Sequence, residues 1–289
     1  MIRCCGMIHG RGREVLNFPA SVIFEKRRAI KMPVLMQINE LKKQFGGLEA
    51  VSSLCFELHQ GELLGLIGPN GAGKTTVFNL ITGILRPNAG RILFREKNIA
   101  GWAPHHISAS GIARTFQNIR LMSGMTVREN IRPAFHQKIK YSLLDSIMKT
   151  TSFINTEMEM DRKINDALSM LQVSEFADQY VEDLPYGIQR RIEIARALCL
   201  DPMVLLLDEP TAGLNPKEAE EIVGIINYLL NELSVSMVVI EHNMRVIMNI
   251  CSRIVVMNQG KVIATGTPEE IQKNKEVIRV YLGEKRSAR

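Results

Sequence analysis

A glycine-rich segment at residues 68–76 constrains this chain more than any other part of its sequence. It reads Gly-Pro-Asn-Gly-Ala-Gly-Lys-Thr-Thr, which matches the pattern Gly-x-x-x-x-Gly-Lys-Ser/Thr of a phosphate-binding loop. Glycines let backbone N–H groups turn inward around a polyphosphate, Lys74 supplies a positive charge, and the Thr75 hydroxyl can ligate Mg²⁺. An apolar run precedes the loop and a helical pattern follows it, so the sequence predicts a strand, loop and helix that bind a nucleotide.

An acidic pair ends a second apolar run, at residues 203–210. The sequence Met-Val-Leu-Leu-Leu-Asp-Glu-Pro predicts a buried strand that delivers Asp208 to a Mg²⁺ site beside the phosphates. Glu209 is then the candidate base that polarises the attacking water. Alone, the segment is equally typical of a buried strand that runs into a polar turn. The phosphate loop upstream favours the functional interpretation.

Three further segments carry little information individually. Gln117 lies in Ala-Arg-Thr-Phe-Gln-Asn at 113–118, and His242 follows an apolar run at the end of a predicted strand. Residues 184–191 read Leu-Pro-Tyr-Gly-Ile-Gln-Arg-Arg and precede a helical pattern. Each has an ordinary structural explanation: a polar turn, a structural histidine and a turn that caps a helix.

Together, in this order, the segments resemble the ATP-binding subunits of ABC transporters, from about residue 32 to the C-terminus. The resemblance implies an α/β fold with a P-loop NTPase (RecA-like) parallel core, an antiparallel β subdomain and an α-helical signature subdomain. It places the ABC ATPase domain at residues 32–289, with the helical subdomain inserted at about 119–190. Residues 1–31 are predicted to form a basic extension outside this domain.

The resemblance also implies a site for ATP and Mg²⁺. The expected catalytic residues are Glu209 as the base, His242 orienting the γ-phosphate, and Gln117 sensing the γ-phosphate and Mg²⁺ beside the permease contact. Phe45 is expected to stack on adenine. The expected ATP-binding residues are Phe45, Gly68, Pro69, Asn70, Gly71, Ala72, Gly73, Lys74, Thr75, Thr76 and Asp208. The expected Mg²⁺ ligands are Thr75, Gln117 and, through water, Asp208.

A signature segment is expected to reach across to the ATP of a partner subunit. Its residues are Leu184, Pro185, Tyr186, Gly187, Ile188 and Gln189. Where the general family has Ser-Gly-Gly-Gln, residues 185–188 read Pro-Tyr-Gly-Ile, so the serine hydroxyl that contacts the partner's γ-phosphate is absent. The Gly187 N–H and the start of the following helix can still serve an anion. The D-loop at 212–215 ends in Asn215 where Asp is usual.

These departures predict a heterodimer with a second ABC ATPase subunit and two unequal ATP sites, although a homodimer stays open. The other expected partners are two transmembrane permease subunits, with a substrate-binding protein contacted indirectly.

Several segments narrow the resemblance to the branched-chain amino acid subfamily, closest to the LivG-type ATPases of high-affinity importers. They are residues 41–51, 113–118, 125–130, 212–217, 266–271 and 277–283. The resemblance implies an enzyme that hydrolyses ATP to power import of leucine, isoleucine or valine. A urea or other amide importer, a lipopolysaccharide-export ATPase and a soluble ABC ATPase in a cytosolic assembly complex remain alternatives. The Phe-Gly-Gly at Phe45 and the Tyr186 variant argue against lipopolysaccharide export.

Charge and composition fit this interpretation. Residues 1–31 carry seven Lys or Arg and two Asp or Glu residues, which is five of the six net positive charges of the chain. The ATPase domain therefore has little excess charge, and no nucleic-acid partner is expected.

No run of about 18 apolar residues could span a bilayer. The five cysteines lack metal or disulfide spacing, which fits a reducing compartment. We expect a peripheral position on the cytoplasmic face of a bacterial inner membrane, held by the permeases.

Residues 1–31 allow three interpretations. They could form a disordered basic tail that touches anionic lipid, or a segment that binds a partner. We favour a third, in which Met32 is the true start, because Met-Pro-Val-Leu-Met-Gln-Ile opens like an ordinary family member.

Hydrophobic periodicity predicts the secondary structure. Strands of the parallel core are expected at 63–67, 114–117, 204–207, 237–240 and 254–257. Strands of the antiparallel subdomain are expected at 34–38, 50–58 and 91–94. Helices are expected at about 126–136 and 158–172, with a variable loop or short helices at 137–155.

Overall fold

A computed structural model describes residues 32–138 and 141–282. The strands in this part are β1 Val34–Phe45, β2 Leu48–His59, β3 Leu63–Ile67, β4 Ala89–Phe94, β5 Lys97–Asn98, β6 Ile112–Arg114, β7 Val204–Asp208, β8 Ser236–Ile240, β9 Arg253–Asn258 and β10 Lys261–Gly266. The α-helices are α1 Lys74–Ile81, α2 Pro104–Ala109, α3 Val127–Ile131, α4 Leu143–Met148, α5 Thr151–Met170, α6 Tyr186–Leu198, α7 Pro216–Asn231, α8 Met244–Ile250, α9 Pro268–Lys273 and α10 Lys275–Leu282. Short 3₁₀ helices are Arg132–Lys138, Ser174–Phe176 and Val181–Asp183.

The larger sheet has the strand order β10-β9-β3-β8-β7-β6. Its strands pair in parallel except for β10, which runs antiparallel to β9 at one edge. Every residue of β3, β7 and β8 is buried, as expected for a parallel sheet that is covered on both faces. The carboxyl ends of β3 and β7 lead directly into residues 68–76 and 208–209, so these segments lie at the same edge of the sheet.

Alternate residues of the parallel strands point into two different hydrophobic cores. Leu205 and Leu207 of β7 join a core that also contains residues of α5, α6 and α7. Leu206 joins a second core with Phe78 of α1 and residues of β1 and β2. The large sheet is therefore held between the helical part of the chain and the smaller sheet.

The smaller sheet is antiparallel, with the strand order β2-β1-β4-β5. Phe45 pairs with Leu48 at the tip of the β1–β2 hairpin. The backbone of β2 also reaches the phosphate loop, since a Cβ on Gly73 would lie 2.4 Å from the Ala50 carbonyl oxygen. This packing places the predicted antiparallel subdomain beside the loop.

Some predicted boundaries are wrong. The strand expected at 114–117 is β6, which begins at Ile112 and ends at Arg114. The Thr115 N–H still bonds the Leu206 carbonyl of β7, and residues 116–117 lie beyond the strand. The helix expected at 126–136 is α3 only as far as Ile131 and continues as a 3₁₀ helix. Pro133 explains the change, because proline has no N–H and its ring clashes with the carbonyl four residues earlier in an α-helix.

The segment expected as a loop or short helices at 137–155 contains α4, but its last five residues belong to α5. The α5 helix begins seven residues before its expected start at 158 because the Thr150 side chain caps it, accepting a hydrogen bond from the Phe153 N–H. The β10 strand was not expected. Its signal was present in Gln259-Gly260, which both have positive φ and form a tight turn between β9 and β10.

No described helix has the length and apolar character needed to cross a membrane. The predicted basic extension at 1–31 and the last residue of the 277–283 segment lie outside the described residues.

Candidate functional site

The phosphate loop connects β3 to α1 in a conformation that requires glycine at two positions. Gly73 has φ +100°, and Gly68 has a backbone that would bring a Cβ to 2.2 Å from the Met257 carbonyl oxygen. Any side chain at either position would collide with backbone atoms. The α1 helix starts directly after Gly73 and has no acidic residue in its first turn, so its N-terminus can accept an anion.

Lys74 is enclosed by the loop. Its Nζ donates hydrogen bonds of 2.7 Å to the Gly68 carbonyl and 3.0 Å to the Pro69 carbonyl. Burial lowers the pKa of the Lys74 ammonium, and the nearby carboxylates of Glu209 and Asp208 oppose that shift. The structure thus brings the phosphate-loop lysine and the acidic pair after β7 into one electrostatic cluster.

Asp208 is buried and pairs with Arg114. The Arg114 Nη2 donates to Asp208 Oδ2 at 2.7 Å, and Nη1 donates to Asn79 Oδ1 at 2.6 Å. Burial lowers the pKa of the Arg114 guanidinium, while the Asp208 carboxylate opposes that shift. The other carboxylate oxygen, Asp208 Oδ1, is buried and has no hydrogen-bond partner among the described residues. Sequence reasoning gave Arg114 no role, although it lies in the same motif as Gln117.

Glu209 lies outside the strand, in a left-handed backbone conformation with φ +50°. Its N–H still bonds the Ile240 carbonyl of β8 at 2.8 Å. Gln117 Nε2 donates to Glu209 Oε2 at 3.1 Å, and His242 Nε2 lies 2.9 Å from Glu209 Oε1. The three expected catalytic residues therefore meet at one carboxylate. A strained backbone at such a position is common in functional sites.

Glu241 supports this arrangement from behind and was not expected. Its buried carboxylate accepts hydrogen bonds from the N–H and the hydroxyl of Thr211, at 2.8 Å and 2.6 Å, and from the His242 N–H at 3.2 Å. The Glu241 side chain thus holds in place both Thr211, directly before the D-loop, and the backbone of His242. In the sequence, the only indication of a role for Glu241 was its position next to His242 at the end of a predicted strand.

Some of the residues expected to bind adenine and the phosphates are exposed, and others are buried. Phe45 is 45% exposed at the hairpin tip, and Lys43 Nζ lies 5.2 Å from its ring centroid. The Asn70, Gly71 and Thr75 side of the loop is exposed, whereas Ala72 is buried in the core shared with α1. Thr76 is half-buried.

The C-terminal helix reaches the same loop. The Tyr281 hydroxyl of α10 forms a hydrogen bond with the Gly68 backbone, and burial raises the pKa of Tyr281 to about 12. Nothing in the spacing of the sequence indicated this contact.

The signature segment begins α6. Pro185 is the N-cap, no side chain caps the helix, and its first turn has no acidic residue. Leu184 is buried, and Gln189 Nε2 donates to the Leu184 carbonyl at 2.8 Å. Ile188 packs against the core, and Gly187 lies close to Glu218. Among the described residues, no hydrogen bond or ion pair joins residues 184–189 to the phosphate loop. The N-terminus of α6 therefore has no side-chain cap hydrogen bond, and the Glu218 carboxylate packs beside Gly187.

The site fits a nucleotide and a hard cation. The glycine cradle leaves room for phosphate groups, and Lys74 and the α1 N-terminus supply positive potential. The buried, unpartnered Asp208 Oδ1 and the exposed Thr75 hydroxyl are oxygen donors of the kind Mg²⁺ prefers.

Comparison with known families gives two matches. A model described as ABC transporter matches residues 51–212, and one described as branched-chain amino acid ATP-binding cassette transporter matches residues 261–286.

Individual relatives match this chain over nearly their whole length. The high-affinity branched-chain amino acid transport ATP-binding protein LivG of Salmonella typhimurium is 45% identical over 250 residues, 86% of this chain and 98% of the relative. The corresponding protein BraF of Pseudomonas aeruginosa is 42% identical over the same shares. The lipopolysaccharide export system ATP-binding protein LptB of Haemophilus influenzae is 32% identical, again over 86% of this chain and 98% of the relative.

Among solved structures, the ADP conformation of MJ1267, an ATP-binding cassette of an ABC transporter, superposes with a TM-score of 0.76. It is 30% identical and covers 88% of this chain and 100% of that chain. This similarity confirms the predicted fold class.

Proposed function

The chain belongs to the ABC transporter ATP-binding family, and we propose that it powers an importer of branched-chain amino acids. It is an ATP-hydrolysing subunit of a membrane transporter. The observation that carries the chemistry is the meeting of Gln117 and His242 on the two carboxylate oxygens of Glu209. The solute is inferred from the 45% identical LivG relative and from the subfamily match at residues 261–286.

Hydrolysis needs a base that is oriented towards the attacking water. Glu209 fills this role in the proposal, accepting the proton of the water that attacks the γ-phosphate. Gln117 and His242 restrict its carboxylate to one orientation, since each holds one oxygen. Orientation of this kind lowers the barrier, because the reacting groups lose their freedom before the chemical step.

The nucleotide is bound by the loop and the hairpin beside it. Lys74 and the α1 N-terminus bind the phosphates of ATP, and the exposed Phe45 ring stacks on adenine. Thr75, Gln117 and, through water, Asp208 would hold Mg²⁺. When bound, the cation neutralises charge on the β- and γ-phosphates. Arg114 keeps Asp208 Oδ2 engaged and leaves Oδ1 as the oxygen available for the metal-bound water.

A second ATPase subunit completes the site. The uncapped N-terminus of α6 and the Gly187 backbone supply an anion-binding end that faces the partner's ATP in the proposal. The missing signature serine and Asn215 in the D-loop favour a partner of different sequence. The two ATP sites are then chemically unequal, and unequal hydrolysis is expected.

The permeases bind near Gln117. A surface cavity of about 340 Å³ lies beside this segment, with Arg114, Phe116, Glu193 and Arg196 among its lining residues. It is bordered by the 3₁₀ helix at 132–138 on one side and by α6 on the other, so a permease segment seated there would touch both the loop of Gln117 and the helical part of the chain. The subunit is held peripherally at the cytoplasmic face of the membrane through this contact.

Affinity purification from detergent-solubilised native membranes tests the assignment. We expect two different polytopic permeases and a second, shorter ATPase to copurify with the chain. A soluble scaffold complex without a permease would contradict the transporter assignment and favour a cytosolic assembly ATPase. A complex whose binding protein binds urea, or one that contains a lipopolysaccharide exporter, would leave the ATPase chemistry in place. It would contradict the assignment of branched-chain amino acids as the solute.

A further inference from the structure

Tyr186 occupies a place where the general family has glycine, and it makes two contacts that a glycine could not make. Its hydroxyl accepts a hydrogen bond of 3.1 Å from Arg190 Nη2. Its ring lies against the D-loop, because a Cβ on Gly213 would be 3.3 Å from Tyr186 Cε1. The side chain is 43% exposed, so burial of the ring alone does not explain its presence.

Arg190 connects Tyr186 to the segment that contains Gln117. It is fully buried, and its Nη2 also donates to the Gln117 carbonyl at 2.9 Å, while Nη1 donates to the Phe116 carbonyl at 2.7 Å. Glu193 completes the clamp, since its carboxylate bonds Arg190 Nη1 at 2.9 Å and accepts the Phe116 N–H at 3.1 Å. The backbone of residues 116–117 is therefore fixed to α6 on both sides of the peptide unit.

These contacts belong to a closed cycle that includes Glu209. The side chain of Gln117 bonds Glu209, and the Glu209 carbonyl accepts the N–H of Ala212 in the D-loop at 3.1 Å. Tyr186 completes this cycle. Its aromatic ring contacts Gly213 of the D-loop, and its hydroxyl bonds Arg190, which in turn bonds the Gln117 carbonyl. Linked polar contacts of this kind are energetically coupled.

We propose that Tyr186 is a positioning residue for ATP hydrolysis, which aligns Gln117 with Glu209 through Arg190 and holds the D-loop of its own subunit against α6. The inference rests on the proposed role of Gln117. Tyr186, at the place of the first signature glycine, adds a link inside the subunit around the chain's own base.

The test compares steady-state ATP hydrolysis by the purified transporter complex carrying Tyr186→Phe, Gln117→Ala or both. Tyr186→Phe keeps the ring and removes one hydrogen bond to a charged group. We expect kcat to fall about threefold to tenfold with KM for ATP within about twofold, because the phosphate loop, Phe45 and the backbone of the signature segment are unchanged. Tyr180→Phe, which removes an exposed hydroxyl elsewhere, is the matched control and should leave both constants unchanged.

The double variant separates a positioning role from a merely structural one. If Tyr186 acts through Gln117, Tyr186→Phe changes kcat less than about twofold in the Gln117→Ala background. An equal loss in both backgrounds, or no loss in the single variant, overturns the proposal. If Gln117→Ala itself leaves kcat unchanged, the proposed role of Gln117 fails as well, which distinguishes that failure from the failure of Tyr186 alone. Tyr186→Gly removes the ring too and is expected to lower kcat further than Tyr186→Phe.

Discussion

Two neighbouring acids after β7 have different surroundings, and those surroundings separate their roles. Asp208 is buried and its carboxylate forms an ion pair with Arg114, which suits a carboxylate that lies beside a cation. Glu209 leaves the strand with a positive φ, and its carboxylate contacts the side chains of Gln117 and His242. These surroundings support the proposal that Glu209 is the acid that accepts a proton from water.

Replacement of Glu209 by Gln should abolish turnover and spare binding. The amide keeps the size of the side chain but cannot accept the proton, so kcat should fall by about 10²-fold or more, the usual contribution of a general base. ATP affinity, measured by equilibrium binding, should change less than about twofold. Glu232→Gln alters an exposed acid at the end of α7 and serves as the control. Unchanged hydrolysis by Glu209→Gln would remove Glu209 from the role of base.

Phe45 tests the adenine site independently of the chemistry. Stacking of a base on an aromatic ring contributes about 1–3 kcal/mol, so Phe45→Ala should raise KM for ATP by about 5- to 150-fold with little change in kcat. Phe45→Trp should preserve KM, because the indole also offers a flat face. Leu48→Ala removes the exposed cross-strand neighbour and is the matched control. If Leu48→Ala and Phe45→Ala have the same effect, the hairpin tip matters for packing and not for stacking.

At the scale of elements, the D-loop departure has a structural consequence. The Asn215 side chain caps α7 by accepting a hydrogen bond of 3.0 Å from the Glu218 N–H, and the Glu218 carboxylate accepts one of 3.0 Å from the Asn215 N–H. Asn and Asp cap helices about equally well. The choice of Asn over Asp at this position is therefore not required for the stability of α7. This agrees with the proposed role of the D-loop in contact with a partner subunit.

Substitutions at Asn215 separate these two effects. Asn215→Ala should lower the free energy of unfolding by about 1 kcal/mol through loss of the cap. Asn215→Asp should leave it within a few tenths of that of the native chain. Urea denaturation followed by circular dichroism measures both. Destabilisation of equal size by both variants would show that the cap is not the main role of this side chain in the subunit.

The sequence predicted the elements that follow from local pattern and missed the partners that come from folding. Buried strands such as β7 and the glycine loop are encoded by consecutive residues, so their positions were predicted within a residue or two. Arg114 and Arg190 were passed over because their partners, Asp208 and the carbonyls at 116–117, lie more than 70 residues away in the chain. Spacing along a sequence contains no information about such contacts.

The same limit applies to the helical part of the chain. The α5 helix was predicted too short because residues 150–156 are rich in Ser, Thr and Asn, which favour caps and turns over helix interiors. The Thr150 cap and the packing of Met160 and Ile164 in the core outweigh that preference. Tertiary burial decided the structure there, and only the folded chain reveals it.

At the scale of the whole molecule, the described fold couples three regions to one carboxylate. Gln117 contacts Glu209 directly, and the signature helix reaches it through Gln117. Lys74 of the phosphate loop interacts with the Glu209 carboxylate electrostatically. In the proposed complex, a partner ATPase at α6 and a permease at the cavity would both act on hydrolysis through this arrangement. Residues 1–31 lie outside the described part, so the predicted start at Met32 stays a prediction.

Uptake of radiolabelled leucine by cells of the source organism tests the proposed transport function most directly. In a strain that lacks the gene, the native chain should restore uptake of leucine, isoleucine and valine, whereas Glu209→Gln made at the same level should not. Uptake of urea should be the same in all three strains. Leucine uptake that does not depend on the gene, or that Glu209→Gln restores fully, would contradict an ATPase that drives branched-chain amino acid import.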